Sequence, residues 1–291
     1  MTYRNLSPEA LELEFNPRAV ARNLEERIAA GAAASAEARA RFDCVLDVRY
    51  GPGPKETLDI FPAPNPGAGS GTGPGAPVLL FIHGGYWRAM DKSDYSFIAD
   101  AFLPTGATTV VINYDLCPTV TLDTIVEQSN RSIAWTFRNI ADYGGDPNRL
   151  YVSGNSAGGH LTAMALAHDW EAEGLPADII KGAAPITGVM DCEPVLDITV
   201  NAEVRLEPEA ARRLSPLRNP PRHALPVLVA VGGAEPSLWI RMSEDYAALC
   251  RERGIECEYL EMPGHDHFDI SRAVGDPQSP LCRAMQRMMG L

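Results

Sequence analysis

Gly154-Asn155-Ser156-Ala157-Gly158 sets a serine between two glycines, after a strand-favouring run (149–153) and before a helix-favouring one (160–168). That order reads as a nucleophile elbow. Residues without a Cβ let the chain turn sharply and hold the serine in a strained position, its Oγ exposed and the N–H of Ala157 aimed at the same point. A serine hydroxyl needs a base to attack anything, and in such elbows the acid and then the histidine follow in the chain. Gly264-His265-Asp266-His267-Phe268 lies directly after the last strand segment, 256–262. His265 and His267 both qualify as the base, and spacing does not choose between them. Glu235 is the only carboxylate in the loop 232–237, which follows the strand segment 226–231. It would hold the histidine tautomer and stabilise the imidazolium. The plainer alternatives are two surface histidines in a turn and an acidic residue placed to complement a helix start.

His83-Gly84-Gly85-Tyr86-Trp87 follows the apolar run 78–82. Two glycines after a strand let the backbone approach a substrate, so the amides of Gly84, Gly85 and Ala157 are expected to form an oxyanion hole. Tyr86 and Trp87 are expected to stack on an aromatic part of the substrate, with core packing as the alternative. Tyr114, at the end of the strand segment 108–114, and Asn155, inside the elbow, are further candidates for touching substrate; Asp115 and His83 read as structural. A metal on His265, Asp266 and His267 is a weaker reading, because further ligands at zinc spacing are missing.

The elements that must position these groups alternate. Strand segments at 44–50, 57–61, 78–82, 108–114, 149–153, 179–186, 226–231 and 256–262 are interleaved with helical stretches at 122–143, 160–168, 238–253 and 280–289. Such alternation predicts an α/β fold with a mostly parallel, doubly wound central sheet flanked by helices. Ser7-Pro8-Glu9 opens an N-terminal helical segment, 1–41. The stretch 187–225 interrupts the alternation and, with 1–41, is expected to be a small helical lid over the carboxyl edge of the sheet, where such folds bind ligands. The Gly/Pro/Ala-rich run between Pro62 and Pro77 reads as a loop between strands rather than a linker, so the 291 residues form one domain.

A net charge of −13 argues against nucleic acid or an anionic membrane as partner. The first residues lack an apolar stretch of the kind a signal peptide needs, and no apolar run is long enough to span a bilayer. Six cysteines without C-x-x-C spacing suggest reduced thiols in a cytoplasmic protein, a Cys250–Cys257 disulfide being the alternative.

Taken together, the chain resembles the α/β-hydrolases, and among them the arylformamidase (kynurenine formamidase) and bacterial esterase group. The resemblance runs from about residue 58 to 268. It is carried by His83-Gly84-Gly85-Tyr86-Trp87, by the elbow 154–161 and by His267-Phe268-Asp269-Ile270. It implies Ser156 as nucleophile, His267 rather than His265 as base, and Glu235 as acid. It further implies hydrolysis of aryl formamides such as N-formylkynurenine, or of carboxylic esters, without cofactor or metal. The expected partner is a small-molecule ester or formamide, and a homodimer is a further possibility. A general short-chain carboxylesterase and a non-catalytic binding scaffold are the alternative readings.

Overall fold

The computed structural model describes residues 3–64 and 75–291. Ten residues of the expected 62–77 loop, 65–74, lie outside the described residues, as do Met1 and Thr2 at the expected leaderless start. The strands are β1 (Val45–Arg49), β2 (Thr57–Phe61), β3 (Ala76–Ile82), β4 (Thr108–Ile112), β5 (Gly145–Asn155), β6 (Gly182–Ile186), β7 (Val227–Gly232) and β8 (Cys257–Met262). They form one sheet in the order β1-β2-β4-β3-β5-β6-β7-β8. β2 runs antiparallel to β1 and β4, and every other pairing is parallel.

The apolar runs become strands because both faces of the sheet are covered. Along β3, Val78, Leu80 and Ile82 enter one core while Leu79 and Phe81 enter the other. The first core is closed by helices that include α5 (Leu122–Asn139), α6 (Ala157–Leu166) and α9 (Ser237–Glu252). The second is closed by α4 (Ala99–Phe102), α10 (His267–Ala273) and α11 (Pro280–Met289). The N-terminal segment holds α1 (Pro8–Phe15), α2 (Pro17–Val20) and α3 (Leu24–Arg41), and the stretch 187–225 holds α7 (Asn201–Val204) and α8 (Pro208–Arg213). α1 starts as its sequence suggests, with the Ser7 hydroxyl accepting the Ala10 N–H and Pro8 in the first turn.

After β3 the chain steps to β4 on one side, then returns past β3 to place β5 on the other. This is the topological switch point of an open α/β sheet, and the crevice at its carboxyl edge is where such sheets hold ligands. The loops leaving β3, β5, β6, β7 and β8 all emerge there. No helix of the described residues is long and apolar enough to cross a membrane.

Candidate active site

Ser156 sits between β5 and α6 with φ +56° and ψ −119°, a strained conformation for a residue with a side chain. The glycines around it are required by contact. A Cβ on Gly158 would lie 1.9 Å from the Ile82 carbonyl oxygen, and one on Gly154 would lie 2.5 Å from the Gly158 oxygen. α6 is therefore pressed onto the end of β3, and the turn that results lifts Ser156 off the strand. Its own N–H is spent on the Ile186 carbonyl at 2.9 Å.

His267 opens α10. Asp266 caps that helix by accepting the N–H groups of Phe268 and Asp269, and Asp269 reciprocates on the Asp266 N–H. Arg27 of α3 pairs with both Asp266 and Asp269, tying the cap to the N-terminal segment. Burial pushes the Asp266 carboxyl up, but the Arg27 guanidinium and the two N–H groups outweigh it and hold the group below the usual carboxylate range. Nδ1 of His267 donates to Glu235 Oε2 at 2.6 Å. Glu235 Oε1 accepts the Thr187 hydroxyl at 2.5 Å and the Gly232 N–H at 2.8 Å. The Thr187 hydroxyl in turn accepts the Trp239 indole N–H at 2.9 Å. A carboxylate only accepts, so this chain fixes the tautomer with the proton on Nδ1 and leaves the Nε2 lone pair free. Ser156, Glu235 and His267 are all buried, and Ser156 and His267 line one cavity of about 80 Å³. His265 is turned away, with its Nδ1 against the Pro263 carbonyl. His265, Asp266 and His267 thus diverge and do not form the metal cluster weighed from sequence.

The loop after β3 carries three successive residues at positive φ, Gly85 (+113°), Tyr86 (+53°) and Trp87 (+59°). A Cβ on Gly85 would meet the Ala89 oxygen at 2.1 Å, and one on Gly84 would crowd the Asn155 side chain at 2.9 Å. The Gly84 carbonyl accepts the His83 Nδ1–H at 2.7 Å, while the Tyr114 hydroxyl donates to the His83 carbonyl at 2.9 Å. In a trans peptide the N–H points opposite the preceding C=O, so pinning these two carbonyls directs the amides of Gly84 and Gly85 the other way. Among the described residues the amides of Gly84, Gly85 and Ala157 donate to no backbone carbonyl; the Gly84 N–H faces the Tyr95 phenol oxygen. Burial pushes the His83 imidazole down to about 4, as suits a residue that braces the loop.

A family model described as alpha/beta hydrolase fold matches residues 79–269, more than half of the chain and the span that holds Ser156, Glu235, His267 and the loop after β3. The chain belongs to the α/β-hydrolase family. It is 29% identical over 300 residues to the kynurenine formamidase of Salmo salar, covering 99% of this chain and 98% of that one. It is 32% identical over 250 residues to the esterase LipQ of Mycobacterium tuberculosis, covering 78% of this chain and 58% of that one. Among solved structures, a Silicibacter protein assigned as a thioesterase superposes with a TM-score of 0.79 at 26% identity, covering 94% of this chain and 98% of that one. The esterase of Pyrobaculum calidifontis superposes at 0.68 with 19% identity, over 97% of this chain and 95% of that one, and speaks for the fold alone.

In this hydrolase Tyr86 and Asn155 line the cavity, whereas Trp87 and Tyr114 do not. Trp87 is fully buried and packs edge-on against Tyr86 and His160, because the left-handed turn at residues 85–87 rolls its ring under the loop. Tyr114 is fully buried and stacks on the His83 ring at 4.2 Å, bracing the loop from below. Both are corrected to structural roles. The Tyr86 hydroxyl reaches the Phe15 carbonyl at 2.7 Å, so even this lining residue presents its ring and not its polar end. Sequence reasoning missed Thr187 and Trp239 behind Glu235; it expected the segment 1–41 over the site but did not name Pro17, Arg18 and Ile28, which form its rim. The signal for Thr187 is its place directly after β6, on the carboxyl edge beside the elbow. The rim leaves no local signal. Of the stretch 187–225, no residue lines the cavity; it packs against α1, where Thr199 bonds Glu12, and against the residues before it, where Glu193 receives the Tyr3 hydroxyl.

Proposed function

We propose that the enzyme hydrolyses aryl formamides of the N-formylkynurenine type, or short-acyl esters, through an acyl-enzyme formed on Ser156. His267 takes the serine proton and passes it to the leaving amine or alcohol, and Glu235 holds the imidazole and balances its charge. The oxyanion rests on the amides of Ala157, Gly84 and Gly85. Water then repeats the sequence on the acyl group. The observation that carries this reading is the 2.6 Å Glu235–His267 contact opening onto the same cavity as a strained serine. The comparison supporting the formamide is the full-length similarity to the Salmo salar kynurenine formamidase. Residues 1–41 act as the pocket-facing part of the lid and 187–225 as its support. All six cysteines are free thiols, which fits a cytoplasmic enzyme.

A second reading, a short-chain carboxylesterase, is favoured by the similarity to the esterase LipQ of Mycobacterium tuberculosis; the cavity of about 80 Å³ suits a formyl or an acetyl group alike. The deciding experiment compares N-formylkynurenine with p-nitrophenyl acetate on the wild type and on Ser156→Ala. The serine reading expects the variant to lose several orders of magnitude in kcat on both while keeping its fold. A wild-type kcat/KM for the formamide far below that for the ester overturns the formamidase assignment, and an active Ser156→Ala overturns the mechanism.

A further inference from the structure

Beside the serine cavity lies a second lobe of about 60 Å³ that shares Ile28, Met90, Tyr95, Phe268 and Ser271 with it as walls. Its far side holds Arg272 of α10. The guanidinium lies 4.1 Å over the Phe97 ring and makes neither an ion pair nor a hydrogen bond among the described residues. Its Nη1 is buried without a partner, and burial pushes the group below its ordinary value. The two other charged residues of the lobe do not relieve it. Arg27 is occupied by Asp266 and Asp269, and Asp94 spends an oxygen on the Asp91 N–H, with no ion pair to Arg272. Arg272 is half-buried, and its nearest counter-charge, Asp100, lines the neighbouring groove rather than this lobe and is itself paired with Arg41; the Nη1 beside Gly31 has no acceptor, and a buried donor left unpaired is unfavourable until an acceptor arrives.

A second, independent feature points to the same place. Gly31 stands inside the long helix α3, where a glycine costs about 1 kcal/mol against alanine. Its missing Cβ would lie 3.5 Å from Arg272 Nη1 and nothing else would be near it, so the glycine keeps open the space beside that nitrogen.

We propose that this lobe is a carboxylate subsite for the leaving group, with Arg272 as the specificity-determining residue. The proposal rests on the hydrolase reading above, since the lobe would receive whatever departs from the acyl carbon held at Ser156. The preferred substrates are then formamides or esters whose leaving portion is apolar or aromatic and bears an anionic carboxylate.

The test compares 2-formamidobenzoate with formanilide, two substrates that differ by the carboxylate, on the wild type, Arg272→Gln and Gly31→Leu. A lost charged hydrogen bond lowers the ratio of kcat/KM for 2-formamidobenzoate to that for formanilide by about 10- to 100-fold in Arg272→Gln, carried by KM. Gly31→Leu, which leaves the charge and fills the space with a good helix former, lowers the same ratio. An unchanged ratio in both variants overturns the subsite. Binding of 2-aminobenzoate and aniline, measured by calorimetry, separates this failure from failure of the hydrolase reading. If neither formamide is cleaved but 2-aminobenzoate binds and Arg272→Gln weakens it selectively, the subsite stands and the chemistry falls. If the wild type binds 2-aminobenzoate no better than aniline, the subsite falls.

Discussion

Thr187 shows what single residues add to the familiar trio. Its hydroxyl gives its proton to Glu235 and takes one from Trp239, so one side chain orients the carboxylate and is itself held from behind. Thr187→Val keeps the shape and removes both bonds. Turnover is expected to fall about tenfold with KM little changed, the effect of losing one net hydrogen bond; kcat within twofold of wild type would assign the hydroxyl to packing alone. His160 offers a separate prediction. Its Nε2 bonds the Leu214 carbonyl at 2.7 Å while Nδ1 is buried without a partner, and burial pushes its pKa from 6.5 to about 4. The folded state therefore refuses a proton that the unfolded chain accepts. The associated stability is complete above pH 6.5 and is lost as the pH falls toward about 4. In that window it contributes a slope of about 1.4 kcal/mol per pH unit. Urea midpoints of wild type and His160→Gln, followed across the same range, should differ by about one proton in slope; parallel curves would show that the imidazole titrates in the fold.

The elements divide into those whose pattern is local and those whose limits are set by neighbours. β3 and β7 are apolar along their length and β4 is apolar and β-branched from Val110 on, so their burial on both faces was legible. β5 begins at Gly145 rather than at residue 149, because Gly145 pairs with Ala76 across an irregular register that the turn-like Gly-Asp-Pro does not announce. The N-terminal segment is helical as expected from its sequence, but it is divided after Val20, where Asn23 adopts φ +50°. The elbow was legible because its glycines answer to contacts within the elbow and the strand next to it. That makes it testable. Gly158→Ala must push α6 off β3, so it is expected to cost about 3 kcal/mol or to prevent folding. Gly106→Ala, where φ is +88° but the added Cβ meets nothing, should cost about 1 kcal/mol. Chemical denaturation of the two variants reads the difference, and equal losses would mean that the α6–β3 contact is soft. Trp87 and Tyr114 were misplaced for a related reason: an aromatic beside a glycine turn can face either side, and only the path of the backbone decides.

Across the whole molecule, the reacting groups come from the carboxyl edge of the sheet, which chain alternation makes legible, whereas the cavity rim comes from residues far away in sequence. Residues 1–41 reach the site through long-range polar contacts: Glu12 to Thr199, Glu14 to the Leu238 N–H, and the Phe15 carbonyl to the Tyr86 hydroxyl. Nothing in their Ala-, Glu- and Arg-rich composition says where they dock. Deleting residues 1–20 removes Pro17 and Arg18 and leaves the buried Tyr86 hydroxyl without its acceptor, a loss of about 1–3 kcal/mol. The melting midpoint should drop by several degrees, and KM for aryl substrates should rise more than KM for a small methyl ester. Equal changes on both would mean that the segment stabilises the fold without shaping selectivity.

The rim residues Pro17, Arg18 and Ile28 lie close together in sequence, while Ser156, Glu235 and His267 hang from separate strand ends. The two could therefore diverge at different rates. Exchanging the helices that carry this rim would change what the site admits while its bond-breaking apparatus stayed untouched, a modularity that makes them the natural place to begin re-engineering it.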